Sequence, residues 1–401
     1  MRRHRPFMAT CRHEWPDMRD FYPAPDTDGM VRKPVVLGRP LRHEGGHIRI
    51  PFPSISRFPM SEHTPIGLDN AAAPVRALTH SGNFHVDETL GYVILHYALA
   101  PKGDLRARVL GDGPADRLEF IRSRSPDRIA ASDIVFDVGG QYDPAKGRYD
   151  HHMKDKPLRD DGTPYSAAGL LWKDYGVAAI RNIVQTQVDE ADIAAIWQAL
   201  DRSLVLPIDE DDNGVVKMGR LSLADIVSSC RPAWDTTELY GPEEARRRET
   251  LGFANAATTV ASHLVNAVDR VRASLKAAHR VMAAYEAAED KRILLMDTGM
   301  PTEKVIFEND LPVVYVVSPA APDRWNVKAV PPVRGDFGQR VSLPEAWRGL
   351  DGEKLARVCG VPDAVFAHPA RFICGAGSKE GALQMARLAL KINDELEQAG
   401  D

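Results

Sequence analysis

The stretch VRALTHSGNFHVDETLGYVILHYAL, residues 75–99, decides how the fold begins. Its first five residues form a short, mainly apolar run that is typical of a strand. Residues 87–99 then have the apolar spacing of a helix, with apolar side chains from Leu90 to Tyr97 on one side. A strand, a loop and a helix make the basic unit of an α/β fold. The polar loop between them follows the carboxyl end of the strand, where open α/β sheets place their functional sites.

Strands and helices continue to alternate along the chain. We predict an α/β fold with a largely parallel first sheet, a helical connector and a smaller α/β C-terminal domain, divided as 71–288 and 289–401. The predicted strands are 118–121, 133–138, 292–296, 313–318 and 325–330, and the predicted helices are 166–175, 190–203, the long connector 243–290 and 381–393.

Residues 1–70 differ in composition from the rest of the chain. They hold 10 of the 29 prolines, and their 11 Lys and Arg residues exceed their 8 Asp and Glu residues. Proline at this density interrupts helices and strands alike, so we expect a disordered tail or an over-extended start. Translation from Met60 would lose nothing that has a folded pattern. The Arg-rich opening is a weak targeting signal, and we expect a cytoplasmic protein.

Composition excludes several classes of protein. The formal net charge of -5 argues against a uniformly basic nucleic-acid surface and leaves room for a local one. No apolar run is long enough to span a membrane, so no membrane partner is expected. A homodimer stays open. The four cysteines indicate free thiols without a zinc ribbon, because they lie far apart: Cys11, Cys230, Cys359 and Cys374.

The loop after the first strand is the first of three segments with candidate chemistry. His80, His85 and Asp87 can converge there because the chain turns at 81–82. Imidazole together with carboxylate suits Mn²⁺, Fe²⁺ or Zn²⁺. The alternative is that Asp87 caps a helix and that the two histidines are incidental.

The other two segments end later strands of the same predicted domain. Asp137 interrupts an apolar run and needs a partner, either a cation or the backbone N–H groups of a turn. His151 and His152 point in different directions on an extended chain, one toward a metal and the other toward substrate. Asp150 can anchor an imidazole. Four of the eight histidines beyond residue 70 fall in the first and third segments, which favours a metal site.

Together these segments resemble a known group of enzymes. The sequence is similar to the DHH-type metallohydrolases, which include RecJ-like exonucleases and manganese inorganic pyrophosphatases, and most closely to the melanocyte-proliferating-gene-one family. The resemblance covers roughly residues 74–390. It is carried by the segments 79–88, 137–144, 148–152, 166–170, 343–350 and 379–387.

The resemblance implies a DHH-type N-terminal domain that holds two divalent cations, Mn²⁺ first and Mg²⁺ as the alternative. A fourth motif, 209–214, should supply one more aspartate, and either Asp209 or Asp212 fits, unless the segment is only an acidic turn. Val86 stands where the family has cysteine, and 372–378 is looser than the family's Phe-Ile-Gly-Gly run. The implied ligands are His80, His85, Asp87, Asp137, His151 and Asp212 or Asp209.

Two cations bridged by a carboxylate such as Asp137 would generate a hydroxide that attacks phosphorus. His152, with Asp150 behind it, is the candidate phosphate contact or proton donor. Arg122 and Arg124 are candidate phosphate ligands, with solvated surface charge as the alternative. Four residues ahead of the last helix could cradle a phosphate or form only a turn: Gly375, Gly377, Ser378 and Lys379.

Three functions follow from this site. The first is a metal-dependent phosphodiesterase, a 3′–5′ exonuclease that acts on RNA or short oligonucleotides held between the domains. The second is a phosphohydrolase of a small molecule such as pyrophosphate or a nucleotide. The third is a non-catalytic metal-binding regulatory protein that keeps the fold.

Overall fold

The computed structural model describes residues 64–68, 73–113, 116–184, 186–216, 219 and 221–400. Most of the predicted tail therefore lies outside the described residues. Residues 64–68 contact the body of the protein. The Tyr175 hydroxyl donates to the carbonyl of Ile66 at 3.1 Å, and Arg117 Nη2 donates to the carbonyl of Gly67 at 3.0 Å.

The first sheet has five strands within the described ranges and is largely parallel, as predicted. Their spatial order is β2-β1-β3-β5-β4, and only the β4–β5 pair is antiparallel. The predicted strand 133–138 is shorter than expected because Asp137 has a φ of 55° and leaves the extended conformation. The strands are β1 (Val75–Thr79), β2 (Leu118–Arg122), β3 (Ile134–Phe136), β4 (Tyr142–Asp143) and β5 (Arg148–Tyr149).

In the part of the chain that the structure describes, eight helices come before the second sheet, and the last of them, α8, extends toward that sheet. The predicted helix 190–203 changes at its end into a π-helical turn, Asp201–Val205. The predicted connector begins earlier, with a break at Gly241, where φ is 81°. The helices are α1 (Val86–Leu99), α2 (Leu105–Leu110), α3 (Pro126–Ala130), α4 (Ala167–Val184), α5 (Glu190–Leu200), α6 (Leu206–Asp212), α7 (Leu223–Ser229) and α8 (Thr236–Ala287).

A second sheet of five strands follows α8 in the chain. Its order is β6-β7-β8-β10-β9, with β6 and β7 parallel and the remaining pairs antiparallel. The elements are β6 (Ile293–Leu295), α9 (Glu303–Glu308), β7 (Tyr315–Ala321), β8 (Arg324–Ala329), α10 (Gly352–Cys359), β9 (Ala364–Ala367), β10 (Ile373–Ala376) and α11 (Lys379–Gly400).

The two sheets pack into separate hydrophobic clusters, and α8 reaches both halves of the chain. Phe253 and Leu264 of α8 lie in the first cluster, while Val281 packs with Leu294 of the second sheet. The predicted α/β class is confirmed. The boundary near residue 288 stays a prediction. Among the described residues, no helix is both long and apolar enough to cross a lipid bilayer.

The turn before β5 gives a test of this fold. Gly147 has a φ of 67°, and a Cβ there would overlap the carbonyl of Asp133. We expect Gly147→Ala to lower the free energy of unfolding by about 2–4 kcal/mol, because left-handed strain adds to a backbone clash. Gly111 is the control, since its φ is 75° and no described atom lies within 4 Å of the place that an added Cβ would take. Gly111→Ala should cost only about 1 kcal/mol in urea unfolding. Equal losses for the two variants would contradict this packing.

Candidate metal centre

All candidate ligands except Asp212 of α6 come after the carboxyl ends of three adjacent strands, β1, β3 and β5. These ends open onto a cavity of about 810 Å³. Three groups of side chains there have ligand atoms within 4.8 Å of one another. The groups are His80, His85 and Glu88, then Asp87, His151 and Asp212, and finally Asp137, His151 and His152.

The first group is organised by the start of α1. His80 Nε2 lies 3.0 Å from Glu88 Oε1, and the same oxygen accepts the backbone N–H of His85 at 2.9 Å. Glu88 is fully buried, and its Oε2 has no hydrogen-bond partner among the described residues. Burial opposes a charged His80, but hydrogen bonds to Asp137 and Glu88 outweigh it and raise the pKa to about 10. A buried, unsatisfied carboxylate beside two imidazoles fits a cation.

The second group lies between α1, α4 and α6. His151 Nε2 is 3.2 Å from Asp212 Oδ2 and 3.7 Å from Asp87 Oδ2, and His151 Nδ1 has no partner within the described part of the chain. The residue that caps α1 is His85, so Asp87 does not cap its own helix. Its carboxylate instead accepts the backbone N–H groups of Ala167 and Ala168 at 3.0 and 2.5 Å. Burial and two neighbouring aspartates raise its pKa.

Asp137 faces both groups. Its Oδ2 is 3.1 Å from His80 Nε2, and its Oδ1 is 3.4 Å from His151 Nε2. Burial alone would raise the pKa of Asp137, but His151 and His80 outweigh burial and lower the pKa to about 2. Its left-handed backbone turns the carboxylate from the end of β3 toward the cavity. This is the position that a bridging ligand would need.

His152 faces the cavity from a fixed support. Its Nδ1 donates to Asp150 Oδ1 at 2.8 Å, which raises the pKa of His152, and about 60% of its side chain is exposed. The other oxygen of Asp150 accepts the backbone N–H of Gly140 at 2.5 Å. Asp150 therefore holds His152 by its Nδ1 and leaves its Nε2 for the cavity.

The structure separates the two aspartates that sequence left as alternatives. Asp212 reaches His151, whereas Asp209, about one helical turn earlier in α6, is fully buried and bonds to other partners. Asp209 accepts Arg159 Nε at 2.7 Å and the backbone N–H of Ser166 at 2.9 Å. Burial outweighs these contacts and raises the pKa of Asp209 to about 6. The geometry thus favours Asp212 as the ligand.

The two predicted arginines lie in different surroundings. Arg124 lines the cavity and donates to the carbonyl of Ser81 at 3.0 Å. Arg122 is largely buried. It donates to Glu249 Oε1 at 2.9 Å and to the carbonyl of Gly82 at 2.7 Å, and so it holds the loop that follows β1. Sequence reasoning missed Arg231, which also lines the cavity, because its neighbours carry no motif.

Of the four candidates at the start of α11, two contact Asp363. Ser378 Oγ donates to Asp363 Oδ2 at 2.5 Å, and the backbone N–H of Gly377 donates to the carbonyl of Asp363 at 2.8 Å. Gly375 lies in β10, and Lys379 begins α11. Of the described residues that line the metal-side cavity, none comes from this group. Its role in binding substrate stays a prediction.

Glu88 is the ligand candidate that sequence reasoning missed. An acid directly after Asp87, in a helix that is otherwise mainly apolar, was the available signal, but a capping box explains such a residue equally well. Imidazole and carboxylate donors in this mixture suit a divalent ion such as Mn²⁺, Fe²⁺ or Zn²⁺. The residues present therefore fit a divalent metal.

Comparison with known proteins agrees with the motifs. The MYG1 family model, described as "Uncharacterised protein family (UPF0160)", matches residues 76–390. The chain belongs to this family. The resemblance to the melanocyte-proliferating-gene-one family, abbreviated MYG1, is thereby confirmed. No solved structure matches the chain.

Relatives of this MYG1-family chain come from distant organisms. A MYG1 protein of Schizosaccharomyces pombe is 31% identical over 341 residues, which cover 79% of this chain and 97% of the relative. The human protein named MYG1 exonuclease is 28% identical over 362 residues, covering 81% and 88%. A bovine protein of the same name is 28% identical over 349 residues, covering 79% and 85%.

Removal of Glu88 tests the metal centre. We expect Mn²⁺ to raise the melting temperature of the metal-stripped protein and EDTA to reverse the rise, because a ligand that binds only the folded state stabilises it. Glu88→Gln should weaken Mn²⁺ binding by about tenfold or more, as measured by calorimetric titration. Glu119→Gln, at an exposed position of β2, is the control and should bind as the wild type does. An unchanged affinity in Glu88→Gln would remove Glu88 from the site.

Proposed function

We propose that this protein is a metal-dependent exonuclease that removes nucleotides from the 3′ end of RNA or short oligonucleotides, with two divalent cations, Mn²⁺ first and Mg²⁺ as the alternative. The observation that carries the proposal is the place of Asp137 between two ligand groups, 3.1 Å from His80 and 3.4 Å from His151. Membership of the MYG1 family and relatives named exonucleases support a hydrolase of the nuclease type.

Some of these residues would bind metal, and others would contact substrate. When bound, divalent cations lower the pKa of a water and neutralise charge on phosphoryl oxygens. Asp137 would contact both ions. His152, oriented by Asp150, would contact a phosphate oxygen or donate a proton to the leaving oxygen. One position would be held by His80, His85 and Glu88, and the other by Asp87, His151 and Asp212.

The cavity supports a nucleotide-sized substrate. Its volume of about 810 Å³ falls within the range of sites that bind small organic ligands and exceeds the needs of pyrophosphate. Arg124 and Arg231 lie in its wall and offer guanidinium groups to a phosphate backbone. Such a local cationic wall is compatible with the net charge of -5.

One observation favours the second candidate, a phosphohydrolase of small molecules. The described residues that line the cavity include no Phe, Tyr or Trp on which a base could stack. A pyrophosphate or a free nucleotide would need no such surface. Cytoplasmic location and a homodimer remain predictions that neither candidate requires.

End-labelled substrates separate these functions. We expect the full chain with Mn²⁺ to release a labelled mononucleotide at once from a 3′-labelled oligoribonucleotide and to shorten a 5′-labelled one stepwise. DNA of the same sequence, a dinucleotide and pyrophosphate are parallel substrates. Asp137→Asn should lower kcat/KM by about 10³-fold or more, because it removes a charge between the two groups. Asp143→Asn is the matched control, since the Asp143 carboxylate lies at the surface and pairs with the nearby Lys146.

Other outcomes would support a different function or a different polarity. Release of phosphate from pyrophosphate without any nucleotide would support the small-molecule phosphohydrolase. Release of label first from the 5′ end would reverse the proposed polarity. Metal binding without turnover of any substrate would contradict the proposed exonuclease and favour the regulatory protein.

A further inference from the structure

A largely buried arginine behind the metal centre contacts two acidic side chains. Arg159 precedes α4, and its side chain is about 10% exposed. Its Nη1 and Nη2 donate to the two oxygens of Asp201 at 2.7 and 3.0 Å, and its Nε donates to Asp209 Oδ2 at 2.7 Å. Asp201 begins the π-helical turn and Asp209 lies in α6. One guanidinium therefore connects the π-helical turn with α6.

Asp209 also links Arg159 to the start of α4. Its Oδ1 accepts the backbone N–H of Ser166 at 2.9 Å, and a Cβ at Gly169 would overlap the same carboxylate. The next two backbone N–H groups, of Ala167 and Ala168, donate to Asp87. One helix N-terminus therefore holds two carboxylates, one on the side of Arg159 and the other at the metal centre.

The same acid also belongs to the helix that carries another ligand. Asp209 and Asp212 lie three residues apart in α6, about one helical turn. Asp212 and Asp87 approach the same atom, His151 Nε2, at 3.2 and 3.7 Å. The contact of Asp209 with α4 thus fixes how far Asp212 of α6 stands from Asp87, which α4 holds.

We propose that Arg159 is a positioning residue that acts through Asp209 to set the separation of Asp87 and Asp212 and hence the affinity for a divalent cation at that pair. This inference rests on the proposed metal centre. Arg159 does not line the cavity and would touch neither metal nor substrate. Without it, Asp209 is a buried charge that lacks its cationic partner, so Asp209 shifts or draws in water and α6 moves relative to α4.

The test measures Mn²⁺ binding without activity. Metal-stripped full chain is titrated with MnCl₂, free Mn²⁺ is followed by electron paramagnetic resonance, and melting temperatures are recorded in EDTA. We expect Arg159→Met to weaken at least one Mn²⁺ per chain by about tenfold or more, in the range seen when groups behind metal ligands are removed. Arg159→Lys should recover part of the loss, because lysine keeps the charge but cannot hold two carboxylates with a planar fork.

Arg181→Met is the matched control. Arg181 also makes an acidic contact, with Glu190 at 2.6 Å, but lies exposed near the end of α4. Its Mn²⁺ affinity should equal that of the wild type. If Arg159→Met does not fold, Asp201→Asn loosens the guanidinium while keeping it, and should weaken Mn²⁺ binding by a smaller factor in the same direction.

The outcomes keep this inference apart from the proposed function. Lower melting temperatures with unchanged Mn²⁺ affinity in the Arg159 and Asp201 variants would overturn the positioning role and leave Arg159 a structural residue. Weaker Mn²⁺ binding in a protein that cleaves no nucleic acid would overturn the exonuclease and keep the positioning role. A wild type that binds no Mn²⁺ would overturn both.

Discussion

The burial of carboxylates at one edge of the first sheet is the constraint on which the rest of the structure depends. Asp87, Glu88, Asp137 and Asp209 are all 5% exposed or less. A carboxylate taken out of water costs several kcal/mol unless a partner compensates its charge. The chain supplies some partners itself, because the N-terminus of α4 holds Asp87 and Arg159 holds Asp209. Glu88 and Asp137 lie against histidines, and this is where a bound cation would complete the charge balance.

Backbone geometry brings those charges together. The three strands β1, β3 and β5 lie side by side, so that the residues after them meet, although 71 positions separate His80 from His151. Asp137 leaves β3 in a left-handed conformation that is costly for a residue with a Cβ, and its contacts with His80 and His151 hold it there. The loop that follows β1 is also held in place, because Glu249 of α8 accepts the N–H of Gly82 at 2.8 Å.

Sequence periodicity predicted the elements long enough to show a period. The strand and helix at 75–99 were expected nearly to the residue, and so was the change to a second sheet after the connector. Two-residue strands such as β4 and β5 have no period, and β9 and β10 are too short to show one. Spacing could not choose between Asp209 and Asp212, because the choice depends on Arg159, which is 50 residues from Asp209 in the chain. Sequence left Arg122 as either a phosphate ligand or solvated surface charge, because spacing could not reveal its partner Glu249, which is 127 residues away in the chain.

The histidines of the cluster indicate which charges a cation has to replace. The raised pKa values of His80 and His151, about 10 and about 9, mean that both imidazoles are protonated near neutral pH and act as the positive charges of the cluster. A histidine that binds a metal must be neutral, so a cation bound at this cluster would release these protons and would supply the positive charge beside Asp137. The carboxylates would consequently have a compensating charge with metal and without it. The ligand geometry could therefore form before metal binds, and its precision would depend on groups such as Arg159 and the N-terminus of α4, whose charge is independent of a bound metal.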